Sequence, residues 1–199
     1  MERALDFLEN DRVDFLVRIA VFHYLFGYIH PFYDGNGRMS RFISSSLLSD
    51  ALNRLIGFRL SYTIKENISK YYKAFKICND FRRNMGDLTP FTEMFLTVIN
   101  TAEESLAESL AVKQRELDRY KKLINTLPKA DDQKIWELYF LFAQAALFSE
   151  NGISTREILE NSQISQYTFK KKLEEIPPEY LKIKREGKLK FYMLDPEKL

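Results

Sequence analysis

Apolar and polar residues recur along most of the chain with the spacing of α-helices. The first residues predict a short helix over residues 2–9, and residues 12–29 predict a helix that is apolar on nearly every side. A helix of that kind is typical of the buried centre of a bundle. Residues 13–29 approach the length of a membrane span, but Asp14, Arg18 and His23 interrupt them, so we expect no span.

The middle of the chain continues the helical pattern. Further helices are predicted over residues 36–53, 64–81, 89–127 and 131–148. Gly57 is interpreted as a break before the second of these, and Ser61 or Thr63 as its N-cap. Thr89, followed by proline, predicts the start of the long third helix, and Pro128 predicts its end.

The last third of the chain changes character. Two short helices over residues 155–161 and 166–176 are followed by alternating strands over 181–184 and 188–194, which residues 185–187 join as a β-hairpin. A helix, a helix–turn–helix and a hairpin are the layout of a winged helix. We therefore expect a mainly α fold, with a helical bundle over residues 1–127 and a small winged-helix domain (helices plus one β-hairpin) over residues 128–199.

Composition narrows the class of protein further. Hydrophobic residues make up 45 % of the chain and charged residues 29 %, as in ordinary globular proteins. One cysteine, Cys78, excludes an internal disulfide, and we expect it to be a small buried hydrophobe. The formal net charge of +2 does not by itself indicate nucleic acid. Because the first residues are charged and lack a signal peptide, we expect a cytoplasmic protein without a membrane partner.

Candidate chemistry is concentrated between two predicted helices, from His30 to Arg41. Pro31 disfavours helical geometry at His30, so the apolar helix should end there. The imidazole then lies at a helix C-terminus, where the helix dipole favours its protonated form. That environment suits a general base that must accept a proton and hold it.

The rest of this segment favours phosphate binding. Gly35 and Gly37 permit a tight turn that exposes backbone N–H groups at the start of the next helix. Arg38 and Arg41, three residues apart, share a face of that helix. Asp34 supplies one carboxylate, enough for a Mg²⁺ ion that keeps most of its waters. Together these groups indicate a phosphate-transfer site.

A simpler interpretation treats the same segment as a glycine turn. In that case Asp34 and Asn36 cap the turn, and a backbone carbonyl satisfies His30. The full set of base, glycines, arginines and carboxylate favours the functional interpretation over this one. By contrast, His23 lies inside the apolar helix, and we interpret it as a hydrogen-bonded core histidine.

The same residues resemble a known family. Residues 30–41, HPFYDGNGRMSR, match every specified position of the Fic signature, His-Pro-Phe-x-(Asp/Glu)-Gly-Asn-Gly-Arg-x-x-Arg. The similarity extends more weakly over roughly residues 1–100. Tyr71 and Tyr72, followed by Asn79, resemble the nucleotide-contacting helix of that family. The resemblance implies a Fic-type helical bundle.

Fic proteins mostly transfer AMP from ATP to a Ser, Thr or Tyr hydroxyl of a target protein. The resemblance implies that His30 is the base and that Asp34 binds Mg²⁺. It implies nucleotide contacts at Asp34, Gly35, Asn36, Gly37, Arg38, Met39, Ser40, Arg41, Tyr71, Tyr72 and Asn79. In the related Doc toxins the second glycine of the turn is lysine and the reaction is phosphorylation, so Gly37 favours AMP transfer.

Two features of the family are not found in this sequence. Fic cores usually carry a β-hairpin flap before the region that matches residues 1–10. Many also carry an inhibitory helix, Ser/Thr-x-x-x-Glu-Gly/Asn, which none of the glutamates followed by glycine or asparagine fits. We expect the chain to be a piece of a longer protein with the flap and the inhibitory helix upstream; the alternative is a protein that is not regulated in cis. A Fic enzyme that uses another nucleotide donor remains an alternative.

The predicted winged helix offers a function of another class. Lys170, Lys171 and Lys172 lie on its second short helix, and Arg185 and Lys188 lie near the tip of the hairpin. Such a pattern is consistent with DNA phosphate contacts. The alternative is therefore a DNA-binding regulator whose Fic core binds nucleotide. Winged helices also serve in protein docking and dimerisation, so a homodimer is left open.

Overall fold

A computed structural model describes residues 1–162, 164–187 and 189–198 of the chain. They form two compact units, Met1–Ser109 and Leu110–Leu199. The predicted mainly α class is confirmed. The division between the units lies within the longest helix, and the predicted domain boundary at residues 127/128 stays a prediction.

The elements are as follows in chain order. The helices are α1 (Glu2–Leu8), α2 (Phe15–Ile29), α3 (Asn36–Ala51), α4 (Arg54–Glu66), α5 (Ile68–Asn79), α6 (Phe81–Asn84), α7 (Thr89–Ile124), α8 (Gln133–Phe148), α9 (Thr155–Asn161) and α10 (Gln166–Glu175). The strands are β1 (Ile153–Ser154), β2 (Leu181–Glu186) and β3 (Leu189–Leu194). Short 3₁₀ turns cover Pro178–Tyr180 and Pro196–Lys198.

The apolar helix α2 is the centre of the first unit. It begins at Phe15 because the Asp14 carboxylate accepts the first backbone N–H groups, at 2.9 Å from the nitrogen of Leu16. Ile19 and Ala20 are fully buried. No helix among the described residues is both long enough and apolar enough to cross a membrane.

The predicted break at Gly57 is wrong. Residues 54–66 form α4, which Asn53 caps by accepting the N–H of Leu55 at 2.8 Å. Gly57 lies inside α4, where a β-carbon would overlap the Ser49 side chain and the Ser45 carbonyl of α3. The glycine therefore marks a close approach of two helices.

Other helix limits also differ from the prediction. The helix predicted over residues 64–81 is divided at Asn67, so neither Ser61 nor Thr63 is its cap. α7 begins at Thr89 as predicted, but its capping side chain lies two residues earlier, because Asp87 Oδ1 accepts the N–H of Thr89 at 2.8 Å. Hydrogen bonds from the Thr89 hydroxyl and from the Thr89 N–H hold the pKa of Asp87 below its usual range.

Side chains from α3, α4, α5 and α7 pack around α2. Tyr24 of α2, Leu60 of α4, Tyr71 of α5 and Phe91 of α7 belong to one buried cluster. Cys78, the sole cysteine of the sequence, is fully buried in the same cluster, which confirms its interpretation as a small hydrophobe. Burial raises the pKa of its thiol.

The second unit packs helices against a small sheet. The three strands are antiparallel in the order β1-β3-β2, with Leu181 opposite Leu194 and Ile153 opposite Tyr192. Tyr192 joins sheet and helices, because its ring stacks on Phe142 of α8 and meets the edge of Phe169 of α10. The predicted hairpin forms, while the two-residue β1 adds a strand that the sequence did not predict.

Candidate functional site

His30 ends α2 in a left-handed backbone conformation, with φ 50° and ψ 60°. Its side chain is exposed, and its Nδ1 donates to the carbonyl of Gly27. Because a carbonyl oxygen only accepts, Nδ1 carries a proton, and in the neutral form of the ring the lone pair is on Nε2. The bond to the Gly27 carbonyl is what the simpler sequence interpretation predicts, and the role of His30 as a general base stays a prediction.

The loop after His30 is held by Asn36. The buried Asn36 side chain accepts the Phe32 N–H at 3.0 Å and donates to the Phe32 carbonyl at 2.6 Å. Both polar ends of the amide are thus used to fix the loop. A phosphate would therefore meet the backbone N–H groups of this turn rather than the Asn36 amide.

The turn itself opens α3. Gly35 is the N-cap and takes the left-handed conformation, with φ 80°, which glycine adopts at no steric cost. A β-carbon at Gly37 would lie 3.3 Å from Nη1 of Arg41, so glycine leaves the guanidinium room beside the turn. Ser40 is buried, and its hydroxyl donates to the Gly37 carbonyl at 3.2 Å, which stabilises the first turn of α3.

Opposite charges lie together at the entrance of the turn. Arg38 Nη2 and Asp34 Oδ2 are 3.4 Å apart, and both side chains are about four-fifths exposed (79 % and 84 %). An exposed pair of this kind contributes about 0–1 kcal/mol, so an incoming phosphate or cation separates it easily. Asp34 can therefore serve as a metal ligand and Arg38 as a phosphate ligand.

Two open cavities adjoin these residues. One of about 460 Å³ is lined by Phe32, Asp34, Gly35, Arg38, Met39 and Phe42. A larger one, of about 700 Å³, lies along α3 and α4 and includes Arg38, Arg41 and Arg54. Arg38 and Arg41 lie in the first turns of α3 and Arg54 is the first residue of α4, so three guanidiniums line this cavity and make its surface suitable for a polyanion.

The nucleoside face predicted on α5 differs from the prediction in one residue. Tyr71 is 5 % exposed, and its ring packs in the core against Phe75 and Phe91. Tyr72 is 62 % exposed and lies about two turns before Asn79 on the same face of α5. Asn79 Oδ1 accepts the hydroxyl of Tyr24 at 2.7 Å. The open aromatic ring of this face is thus Tyr72, and a role of Tyr71 in contacting nucleotide stays a prediction.

His23 is a core histidine, as predicted, but its partners could not be foreseen. It is fully buried, with Nδ1 2.8 Å from Ser44 Oγ and Nε2 2.9 Å from the Tyr71 hydroxyl oxygen. Burial, aided by the positive charge of Arg41, lowers the pKa of His23 to about 3. A buried histidine in an apolar helix indicates that it has hydrogen-bond partners, but not which groups they are.

The described residues contain no cluster of three or more His, Cys, Asp or Glu side chains that would hold a metal ion by themselves. The donor set near the turn is the single Asp34 carboxylate. That set fits Mg²⁺, which is commonly bound by one or two carboxylates together with substrate phosphates.

The predicted nucleic-acid contacts lie in different environments. Lys170 and Lys171 are exposed on α10, and Arg185 is exposed on β2. Lys172 is instead held in a charge cluster, 2.7 Å from Asp132 and 3.2 Å from Glu175. Lys188 lies outside the described residues.

Comparison with known proteins agrees with the motif. Residues 1–48 match the Fic/DOC family. The protein adenylyltransferase Fic of Drosophila willistoni is 30 % identical over 138 residues, which are 68 % of this chain and 25 % of that protein. The enzyme of the same name from Drosophila melanogaster is 40 % identical over 72 residues, or 36 % of this chain and 13 % of that protein. The chain thus spans a quarter or less of these relatives.

The fold agrees as well. A crystal structure of a Fic family protein from Desulfovibrio desulfuricans G20 superposes with a TM-score of 0.50 at 22 % identity. The superposition covers 98 % of this chain and 53 % of that one. With the signature intact between α2 and α3, and with residues 1–48 matching the family, the chain is a Fic/DOC family protein.

Proposed function

We propose that this chain is a protein adenylyltransferase, which transfers AMP from ATP to a Ser, Thr or Tyr hydroxyl of a target protein. The observation that carries the proposal is the hydrogen bond of the exposed His30 side chain. Its Nδ1–H donates to Gly27, so the exposed Nε2 is available to take a proton. The names of the relatives, adenylyltransferases, support the same reaction class.

The remaining groups have complementary roles. The target hydroxyl attacks the α-phosphorus of ATP and gives its proton to His30 Nε2. The bond from that phosphorus to the bridging oxygen breaks, and pyrophosphate leaves with the electron pair. The backbone N–H groups of residues 35–37 bind phosphate oxygens, while Arg38 and Arg41 balance the charge of the departing group.

Magnesium fits the same site. Asp34 would hold the ion together with phosphate oxygens, and the ion would supply further charge neutralisation. On α5, Tyr72 and Asn79 would border the nucleoside, and the exposed aromatic ring of Tyr72 could pack against the base.

The test is mass spectrometry of the protein after incubation with ATP and Mg²⁺, with and without a cell extract as a source of targets. We expect an added AMP on the chain itself or on a target. His30→Ala should remain folded and bind ATP but transfer about 10²–10⁴-fold more slowly, because it lacks the general base. Equal labelling by parent and variant would contradict the assignment of the base.

The donor is tested in the same assay. Parallel reactions with UTP, GTP and CTP compare the mass added per acceptor. A preference for ATP supports the proposal, whereas transfer from UTP alone would replace AMP transfer by the alternative of another donor. Gly37→Lys places in this turn the lysine that the Doc toxins carry. Because the Doc reaction is phosphorylation, we expect this variant to lose AMP transfer.

A second candidate function belongs to the C-terminal unit. We propose that α10 and the β2–β3 hairpin contact nucleic acid phosphates as a winged helix. The order helix, strand, two helices and two strands fits that interpretation. The specific observation is the exposed face of α10, where Tyr167, Lys170 and Lys171 lie at helical spacing and Tyr167 is 77 % exposed.

A further inference from the structure

Three helices each carry one part of the proposed site. α2 ends at His30, α3 begins at the glycine turn and carries Arg41, and α5 carries Tyr72 and Asn79. The relative placement of these helices therefore determines whether base, phosphate and nucleoside are aligned. A misplacement of about 1 Å can cost about 10²-fold in rate.

One buried imidazole links the three helices. His23 lies on α2, its Nδ1 is 2.8 Å from Ser44 Oγ on α3, and its Nε2 is 2.9 Å from the Tyr71 hydroxyl on α5. Each of the three side chains is buried. Phe95 of α7 covers the ring, with the two ring centroids 4.7 Å apart.

This arrangement does more than fill space. Leucine or phenylalanine would fill an apolar core without the desolvation of an imidazole and two hydroxyls. Hydrogen bonds, in contrast, are met over a narrow range of distance and direction. A slide or rotation of α3 or α5 against α2 would break one of them and leave a buried nitrogen unsatisfied. The bonded set is therefore satisfied in one placement of the three helices.

We propose that His23 is a positioning residue, which fixes α3 and α5 against α2 through Ser44 and Tyr71 and so aligns His30 with the phosphate turn and the nucleoside face. The inference rests on the proposed AMP transfer. A second bond, from the Tyr24 hydroxyl to Asn79 at 2.7 Å, links α2 to the end of α5 and supports the same alignment.

Two variants delete one hydroxyl each and keep the rest of the side chain. Ser44→Ala releases α3, and we expect a kcat for AMP transfer lower by about 10- to 10²-fold. Tyr71→Phe releases α5, and we expect mainly a higher KM for ATP. The matched control is Thr63→Val, which removes another buried hydroxyl, bonded to the Arg59 carbonyl of its own helix α4. It should keep the kinetics of the parent at a temperature where all variants are folded.

A spectroscopic readout makes the test independent of turnover. The sequence has two histidines, so protein labelled with ¹⁵N or ¹³C histidine gives one set of imidazole resonances for His23 and one for His30. In Ser44→Ala and Tyr71→Phe the His30 resonances should shift as well as those of His23, whereas Thr63→Val should leave both in place.

The outcomes separate the two proposals. Unchanged kcat, KM and His30 resonances in both variants would overturn the positioning role and leave AMP transfer intact. If the two variants shift the His30 resonances but the parent transfers no nucleotide, the positioning role of His23 is kept and AMP transfer is rejected. Because the variants lie on different helices, one that fails to fold leaves the other to decide.

Discussion

His23 and His30 are the two histidines of the sequence, and they lie in opposite environments. His23 is fully buried and hydrogen-bonded through both nitrogens, whereas His30 is exposed with one nitrogen bonded. At neutral pH the buried ring is uncharged, because its pKa is about 3. The two residues therefore act in different ways: His23 affects stability against acid and is proposed to position the helices of the site, whereas His30 is proposed to take the proton of the target hydroxyl.

The first prediction concerns that acid response. His23 has a folded pKa of about 3, below its ordinary value of 6.5. As the pH falls below 6.5, His23 is protonated in the unfolded chain but stays neutral in the folded chain. The free energy of unfolding therefore decreases towards pH 3. The slope due to this residue is at most about 1.4 kcal/mol per pH unit.

Urea unfolding between pH 7 and pH 5, above the range where carboxylates titrate, measures the effect. The comparison is with His23→Gln, which cannot take up the proton and should show a flatter dependence on pH. Equal slopes for parent and variant would mean that His23 is not buried as a neutral ring.

The second prediction concerns Asn36. Asn36→Ala removes both hydrogen bonds to the Phe32 backbone, which hold the loop after α2 in place. We expect a loss of about 1–3 kcal/mol in the free energy of unfolding, together with weaker ATP binding. Calorimetry and thermal unfolding measure the two effects. Asp50→Ala, an exposed change on the same helix, should alter stability by less than about 0.5 kcal/mol.

Among the elements, α3 and α4 depend on one glycine. Gly57→Ala improves helix propensity by about 1 kcal/mol, but its methyl group would overlap the Ser49 side chain and the Ser45 carbonyl. A backbone carbonyl cannot rotate away as a side chain does, so overpacking should prevail and cost about 1–3 kcal/mol.

Thermal unfolding of Gly57→Ala tests this third prediction. Ser61→Ala, an exposed substitution on α4, is the control and should leave the melting temperature nearly unchanged. A variant at position 57 as stable as the parent would show that the two helices can separate at no cost.

The same glycine shows what the sequence could and could not predict. The segment from His30 to Arg41 is predictable as the junction of two helices, because Pro31 and the glycines act locally on the backbone. Gly57 by itself predicts a break, and only the neighbouring helix α3 reveals that a missing side chain is needed there. Likewise, Tyr71 and Tyr72 are equivalent in the sequence, and their burial depends on the side of α5 that faces Phe91.

At the scale of the whole chain, charge is distributed unevenly over the C-terminal unit. Lys172 is held by Asp132 and Glu175. Its hydrogen bond lowers the pKa of Asp132, and hydrogen bonds from Lys129 and Lys172 lower the pKa of Glu175. Lys170 and Lys171 are exposed on the same helix. Substitutions at these neighbouring positions should therefore have different effects.

The fourth prediction uses that difference. Lys170→Glu combined with Lys171→Glu should weaken binding to a DNA duplex and reduce the slope of log K against log salt by about 2, or about 1 for each lysine. The control carries the same change of charge at Lys65 and Lys70 in the first unit. Fluorescence anisotropy over a series of salt concentrations measures both variants.

Lys172→Ala should instead lower the stability of the unit. If the parent shows no saturable duplex binding at low salt, the nucleic-acid proposal for α10 is rejected.

The burial of Cys78 has a practical consequence. Since this sole thiol is fully buried and its pKa is raised, maleimide reagents should scarcely react with the native chain. A cysteine introduced at Tyr33, whose side chain is fully exposed in the loop between α2 and α3, would then be the one site labelled. A fluorophore placed there could follow nucleotide entry in real time without any background mutation.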